Sequence, residues 1–443
     1  MNYQGALEYI NSFTDYEKLT SMLLEPFGLG RIERLLVRLG NPHLTGRVFH
    51  VAGTKGKGST AAMIASVLDA QGYRTGLFSS PHLHSFRERI RVNGQLIPEN
   101  DLVALLQEVR SPVEEMHRDG ALGRITTFEL TTLLAFLYFS AKEVDFQVIE
   151  VGLGGRLDAT NVVRPLVGVI TSISLDHTSI LGTTVRQVAM EKAGIIKPGT
   201  VVVTAPQEPE AEETIRLACN ERGARLVMLG KDVCWLRQSA SLEGQTLLVR
   251  TPKADYRLRI PLLGKFQCEN AALAVSAIEE ARSLGIDISP RSTAQGLAKV
   301  SWPGRMHILQ HRPLLLADGA HNVHSAAVLR ETIKEDLLYH RCILVLGASI
   351  DKDTAGIVRE FNPLADVVVA TRSHHPRSAP PVMIAREFGF LGKECRIAGD
   401  VPGAIETALE LASPDDLVLV TGSLFVVAEA LEWAGAAELI EGG

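Results

Sequence analysis

VAGTKGKGST, residues 51–60, follows the apolar run VFH and leads into AAMIASVLDA. A buried strand that breaks into glycines and lysines and then into a helical pattern is how a chain builds a phosphate-binding turn. Backbone N–H groups and the helix N-terminus then face one spot, and that spot favours anions. The spacing is not that of the common loop, G-x-x-x-x-G-K-[ST]. Gly53 stands two residues before Gly56-Lys57, and Gly58 separates the lysine from Ser59. Lys57 is placed to neutralise phosphate charge, and Ser59 or Thr60 to offer a hydroxyl to Mg²⁺. A glycine-rich turn without any ligand is the competing reading.

Outward from this loop, strand-like and helix-like segments alternate. YRTGLFSS, VDFQVIEVG, RPLVGVITSIS and VVVTA are apolar and rich in β-branched residues, as strands buried on both faces of a parallel sheet are. Residues 234–263 carry short alternating pieces without helices, which predicts a small antiparallel appendage. From about 302 a second series begins, with RPLLLADGA, RCILVLGAS, ADVVVATRS, KECRIAG and DLVLVTGS as strands. The expected architecture is α/β. A P-loop-containing doubly wound sheet domain with the appendage spans 1–298, and a second Rossmann-like α/β domain spans 299–443.

At 443 residues the chain is too long for one ordinary core. A net charge of −6, with no basic block interleaved with aromatics, argues against a nucleic-acid surface. The five cysteines, Cys219, Cys234, Cys268, Cys342 and Cys395, have no metal spacing and read as reduced thiols. LTTLLAFLYF (130–139) is about half of what a membrane span needs and reads as a buried helix. No membrane association and a cytoplasmic location are expected.

In a doubly wound sheet, ligands gather at the carboxyl ends of the strands. Glu150 in EVGLGGRLDATN is such a strand end, and so is His177 in DHTSILG. Glu150 suits a metal ligand and His177 a metal ligand or an acid/base, and each has a plain alternative: a solvated acid, or a histidine satisfied by its surroundings. Glu191 and Lys192 in MEKAGIIKPG read on spacing alone as a solvated pair. Arg305 in PGR, with Asp318 and His321 in DGAHN, form a comparable set in the second series.

Taken in order, these pieces resemble the folylpolyglutamate synthase/dihydrofolate synthase family, a branch of the Mur-type ATP-dependent amide ligases. That family's loop reads G-T-[NK]-G-K-G-S, and GTKGKGS matches it throughout. SSPHLHSFRERIRVNG (79–94), TTFE (126–129), EVGLGGRLDATN, DHTSILG, EKAGIIKPG, NAA (270–272), PGR, DGAHN, DKD (351–353) and TGSLF (421–425) continue the resemblance. It implies a ligase that uses ATP and Mg²⁺, with two ions expected, to join L-glutamate to dihydropteroate or to the γ-carboxylate of a folate through an acyl phosphate.

By the same resemblance Gly53, Thr54, Lys55, Gly56, Lys57, Gly58, Ser59, Thr60, Asn270, Arg305, Asp318 and His321 would contact ATP. Ser59, Glu150, His177 and Lys192, the last as a carbamate, match metal ligands; Lys57, Glu150, His177 and Lys192 carry the catalytic roles. This overrides the plain reading of Lys192. Ser80, Pro81, Thr126, Phe128, Asp158 and Ala159 match the pterin site, and Arg89, Lys352 and Ser423 the glutamate site. A monomer acting on small molecules is expected. Val323 departs from the family, which usually has proline after DGAHN. A Mur enzyme acting on a peptidoglycan precursor, and a P-loop NTPase or kinase forming no amide, are the rival readings.

Overall fold

The computed structural model describes residues 1–15, 28–120 and 123–435. The chain divides into two compact units. One comprises Met1–Ser239, Gln245–Pro261 and Phe266–Val300; the other comprises Ala240–Gly244, Leu262–Lys265 and Ser301–Gly443.

The first unit is built on a sheet of eight strands: β1 (Arg47–Ala52), β2 (Thr75–Phe78), β3 (Ile90–Val92), β4 (Gln95–Leu96), β5 (Phe146–Glu150), β6 (Val167–Ile170), β7 (Val201–Thr204) and β8 (Arg225–Met228). Their order is β4-β3-β2-β5-β1-β6-β7-β8. From β2 to β8 all pairs are parallel, while β3 and β4 form an antiparallel edge. The strands β5, β6 and β7 are buried throughout, which is why they read as unbroken apolar runs. β3 and β4 escaped the sequence reading, although Asn93-Gly94 between them was a legible turn. Both residues have positive φ, 49° and 77°, the conformation a tight hairpin demands.

The chain moves from β1 to β2 on one side and later returns to place β6 on β1's other side. Such a reversal opens a crevice at the carboxyl ends of the strands, and the loop after β1 lies at it. Apolar helices cover both faces. On one, LTTLLAFLYF lies within helix Thr127–Ala141, buried almost end to end. Its start is fixed by a capping box: the Thr126 hydroxyl accepts the Glu129 N–H at 3.1 Å, and the Glu129 carboxylate accepts the Thr126 N–H at 2.7 Å. Glu129 also pairs with the buried Arg31 at 2.9 Å. On the other face, helices Val185–Ala193 and Pro209–Glu221 pack over β6 and β7.

Residues 234–263 form an antiparallel three-stranded sheet, β9 (Cys234–Ser241), β10 (Gly244–Arg250) and β11 (Asp255–Ile260), with β10 in the middle. Helix Lys265–Ser283 follows.

The second unit holds a six-stranded sheet: β12 (His307–His311), β13 (Leu314–Asp318), β14 (Cys342–Leu346), β15 (Val367–Ala370), β16 (Cys395–Ile397) and β17 (Leu417–Thr421), in the order β12-β13-β17-β14-β15-β16. Five strands are parallel, and β12, which the sequence reading did not resolve, adds antiparallel to β13. No described helix is long and apolar enough to cross a membrane.

Candidate active site

Residues 53–60 connect β1 to helix Lys57–Gln71, and each part of the turn is held by a different element. Gly53 has φ +146°, and a Cβ there would collide with the Thr171 side chain. Thr54 is pinned by its N–H to the Ser172 carbonyl at 2.8 Å and by its hydroxyl to the Ser174 carbonyl at 3.1 Å. Lys55 pairs with Asp176 at 3.0 Å. Gly56 caps the helix at φ +88°, where a Cβ would run into the Asn270 carboxamide. Ser59 Oγ accepts the Gln267 amide at 3.2 Å, and Gln267 Oε1 in turn accepts from Asn270 Nδ2 at 2.9 Å. Gln267 is fully buried, and the sequence reading missed it. The signal was its place three residues before Asn270, on the same face of helix Lys265–Ser283.

The first intrahelical bond runs from the Thr60 N–H to the Gly56 carbonyl, at 2.9 Å. The N–H groups of Lys57, Gly58 and Ser59 are therefore left without intrahelical acceptors, which is the donor set an anion requires. Lys57 is partly buried, and its Nζ reaches the Thr54 carbonyl only at 3.4 Å. Both positive-φ glycines carry the fit to a phosphate group: the cradle exists because no side chain fills it.

Lys192 is not solvated. It is buried, and its Nζ donates to the Gly53 carbonyl at 2.8 Å, so the helix Val185–Ala193 touches the loop through this amine. Burial, reinforced by the nearby Lys57 charge and opposed by Asp176 and Asp158, pushes its pKa down to about 7. The neighbouring Glu191 turns away and pairs with Arg156 at 2.8 Å. The glycines of EVGLGGR let that segment approach: a Cβ on Gly155 would strike the Glu191 carbonyl.

Glu150 ends β5, in register with Val51 of β1, and is buried. Its carboxylate accepts the Ser80 N–H at 3.2 Å, bringing the SSPHLH segment to the same sheet edge. His177 has φ +48° and a half-exposed side chain beside Asp176. Among the described residues no three His, Cys, Asp or Glu side chains converge on one point. A Mg²⁺ ion suits this arrangement nonetheless, because it is ordinarily held by one or two carboxylates together with substrate phosphates.

Thr126 is occupied as a helix cap, and the ring of Phe128 lies where a Cβ on Gly152 would stand. Asp158 is committed to its own loop. It accepts the Leu153 N–H at 2.9 Å and the Thr160 N–H at 3.0 Å, and burial raises its pKa despite those bonds. Ala159 follows it in a buried turn, and Pro81 follows Ser80 through a cis peptide. Arg89 is buried, donates to His82 Nδ1 at 2.8 Å and lies over the Phe86 ring.

In the second unit Asp318 ends β13 and is buried. Its carboxylate accepts the Met306 N–H at 2.9 Å and the Ala320 N–H at 2.8 Å. Burial raises its pKa, with Arg305 working against the rise. His321 Nδ1 lies 2.8 Å from the Gly319 carbonyl. Helix Val323–Asp336 starts at Val323 without the proline, because Asn322 and Ser325 form a capping box; the Ser325 N–H reaches Asn322 Oδ1 at 2.9 Å. Ser423 caps helix Leu424–Trp433, and Lys352 lies 3.7 Å from Asp351.

Residues 51–278 match the Mur ligase middle domain, and residues 304–424 match the Mur ligase glutamate ligase domain. The dihydrofolate synthase/folylpolyglutamate synthase of Bacillus subtilis is 37% identical over 405 residues, 91% of this chain and 94% of that protein. The chain belongs to the folylpolyglutamate synthase/dihydrofolate synthase family. Among solved members of that family, the Mycobacterium tuberculosis folylpolyglutamate synthase complexed with ADP superposes with a TM-score of 0.90 at 30% identity, covering 98% of each chain. A folylpolyglutamate synthase in complex with AMPPCP and folate gives 0.83 at 32% identity, covering 98% of this chain and 99% of that one.

Proposed function

We propose that this protein is an ATP-dependent ligase that joins the amino group of L-glutamate to dihydropteroate, to the γ-carboxylate of a reduced folate, or to both. The observation that carries the reading is the GTKGKGS turn at the sheet's reversal point, with its two obligatory glycines and a buried lysine amine on its carbonyl. The substrate's carboxylate attacks the γ-phosphate of ATP and ADP leaves; the amine of glutamate then displaces phosphate from the acyl phosphate.

The unpaired N–H groups at the helix start and the Lys57 ammonium hold the β- and γ-phosphates and meet the charge that builds on them. Asn270 lies against Gly56 and is assigned to the nucleotide. Ser59, Glu150 and His177 supply the protein's share of a Mg²⁺ site, and the ion supplies charge neutralisation at phosphate oxygens. With burial lowering its pKa to about 7, Lys192 has a neutral-amine fraction at physiological pH that can add to CO₂. The N–C bond forms, one proton leaves, and the resulting carbamate keeps an N–H for the Gly53 carbonyl while presenting anionic oxygens. Ser80, Pro81, Phe128 and Ala159 border the pterin, with Thr126 and Asp158 shaping its walls through their caps. Lys352 and Ser423 serve glutamate.

The test is ADP release by the purified protein with Mg²⁺ and L-glutamate, using dihydropteroate and a reduced monoglutamyl folate in separate reactions. Turnover that needs glutamate and yields a product one glutamyl unit heavier is expected. ADP release indifferent to glutamate and pterin would instead make the protein a P-loop NTPase.

A further inference from the structure

The segment that follows β6, residues 171–176, is the wall against which the phosphate turn lies. The Thr171 N–H reaches the Ala52 carbonyl at 2.8 Å, and the Ser172 carbonyl accepts the Thr54 N–H at 2.8 Å. The Ser174 N–H donates to the Thr54 hydroxyl at 3.1 Å, and the hydroxyl donates to the Ser174 carbonyl at 3.1 Å. Asp176, at the far end, pairs with Lys55 at 3.0 Å. These contacts all face β1 and the turn. Unless the opposite side of the segment is held as well, the wall can shift and carry the turn with it.

That opposite side faces β7, and β7 stops short. Its last ladder pair is Ile170 opposite Thr204, after which the Ala205 N–H still reaches the Ile170 carbonyl at 2.9 Å. Pro206 follows, with no N–H to give. The next groups of the segment, the Thr171 carbonyl and the Ile173 N–H, are met by a side chain instead. Gln207 Nε2 donates to the Thr171 carbonyl at 3.0 Å and to the Thr204 hydroxyl at 3.1 Å, while Gln207 Oε1 accepts the Ile173 N–H at 3.0 Å. A carboxamide carries a donor and an acceptor side by side, as a peptide group does. Here it continues the ladder where the backbone of β7 leaves it. Its orientation is fixed by its partners, since an N–H only donates and a carbonyl only accepts. Thr171 and Ile173 are buried, so losing the carboxamide strands two backbone groups away from water.

We infer that Gln207 is a positioning residue for the nucleotide, acting through residues 171–176 to hold Thr54 and Lys55 of the phosphate turn in place. The inference rests on the ATP-dependent reading above. It adds a residue that the sequence reading did not select, because the strand pattern ends at VVVTA, just before it.

The experiment compares the full-length wild type with Gln207→Met and Gln207→Glu. Methionine keeps the length with no comparable donor or acceptor. Glutamate can still accept from Ile173, but it sets a second acceptor against the Thr171 carbonyl. ADP affinity is measured by calorimetry in EDTA, so that no metal contributes, and amide hydrogen exchange is followed in the nucleotide-free protein. In both variants the Kd for ADP is expected to rise about 10- to 100-fold, the loss that removing a ligand's supporting partner typically brings at metal sites. Exchange should quicken at 53–55 and 171–176 ahead of β6 and β7. Unchanged ADP affinity would overturn the inference, whatever the exchange shows. Exchange that quickens evenly across β6 and β7, with the melting temperature falling in step, would make Gln207 a brace for the sheet and overturn it too. So would failure of both variants to fold; if only one folds, it is read by the same criteria. Wild-type protein that binds no ADP would defeat the nucleotide reading itself, a separate outcome.

Discussion

The two sheet edges are built alike in topology and differently in chemistry. At the edge of the first sheet, Thr54, Lys55 and Ser59 of the phosphate turn are held by side chains and backbone from elsewhere, and its two conformationally special glycines are walled in. At the edge of the second, the loops are joined by backbone bonds between neighbours, and Asp351 lies 3.7 Å from Lys352 and 3.9 Å from Arg377. A turn that must present fixed N–H groups to phosphate gains from being complete before its ligand arrives. The first edge is braced by bonds from elements remote in sequence, the second by backbone bonds between neighbouring loops.

The largest expected effect comes from a loosely held group at the first edge, whose Nζ reaches the Thr54 carbonyl at 3.4 Å. Lys57→Ala should lower glutamate-dependent ADP release by about 10²–10³-fold, the loss typical of removing one electrostatic donor. The melting temperature should barely move, because Lys57 has only a 3.4 Å contact to lose. Substantial unfolding in that variant would show that the lysine belongs to the scaffold and would erase the contrast.

Gly56→Ala should act oppositely, on stability as well as on ATP. The added methyl meets Asn270 and sits at φ +88°, a strain of about 1–3 kcal/mol. Denaturant unfolding together with KM for ATP would reveal it, and an unstrained variant with normal ATP affinity would refute the crowded-turn account.

The buried amine of Lys192 gives a pH signature. Its pKa is near 7 when folded and near the usual lysine value when unfolded, so between those values the unfolded chain binds more protons. Its contribution to stability therefore rises with pH from about 7 to about 10, by up to about 1.4 kcal/mol per pH unit. In CO₂-free buffer, the difference between wild type and Lys192→Met should change with that slope; a flat difference would mean that the amine is hydrated.

Smallest of all, Val323→Pro should raise stability by about 0.4–1 kcal/mol without altering turnover, since position 323 opens a helix already capped by Asn322. Thermal unfolding measures this directly, and a loss of stability would show that the capping box needs the Val323 N–H.

These expectations follow the line between what was legible in the sequence and what was not. The glycine-rich turn between β1 and the helix that follows was legible because its signal is local: glycine, lysine and serine at fixed spacing after an apolar strand. Both doubly wound series and the antiparallel appendage were legible in the same way, through apolar periodicity. Lys192 was not legible from spacing; beside Glu191 it looked like half of a surface pair, and only its burial against Gly53 distinguishes the two residues. Thr171 was missed for a related reason: it meets Gly53, a partner remote in sequence, and nothing within a few residues announces the contact. Gln267 had a local signal in its spacing from Asn270, but its partner Ser59 is equally remote. The β3–β4 hairpin was missed although its Asn-Gly turn was present, because strands of three and two residues carry too little alternation to register.

The contact between Phe128 and Gly152 carries an evolutionary consequence. The Phe128 ring occupies the volume that a side chain at 152 would need, and Gly152 is not held at positive φ. Its glycine is therefore kept by its neighbour's bulk and not by backbone conformation. Any lineage that enlarges residue 152 must first shrink residue 128, and one that shrinks residue 128 frees residue 152 to vary. The two positions should covary among homologues, trading volume with one another.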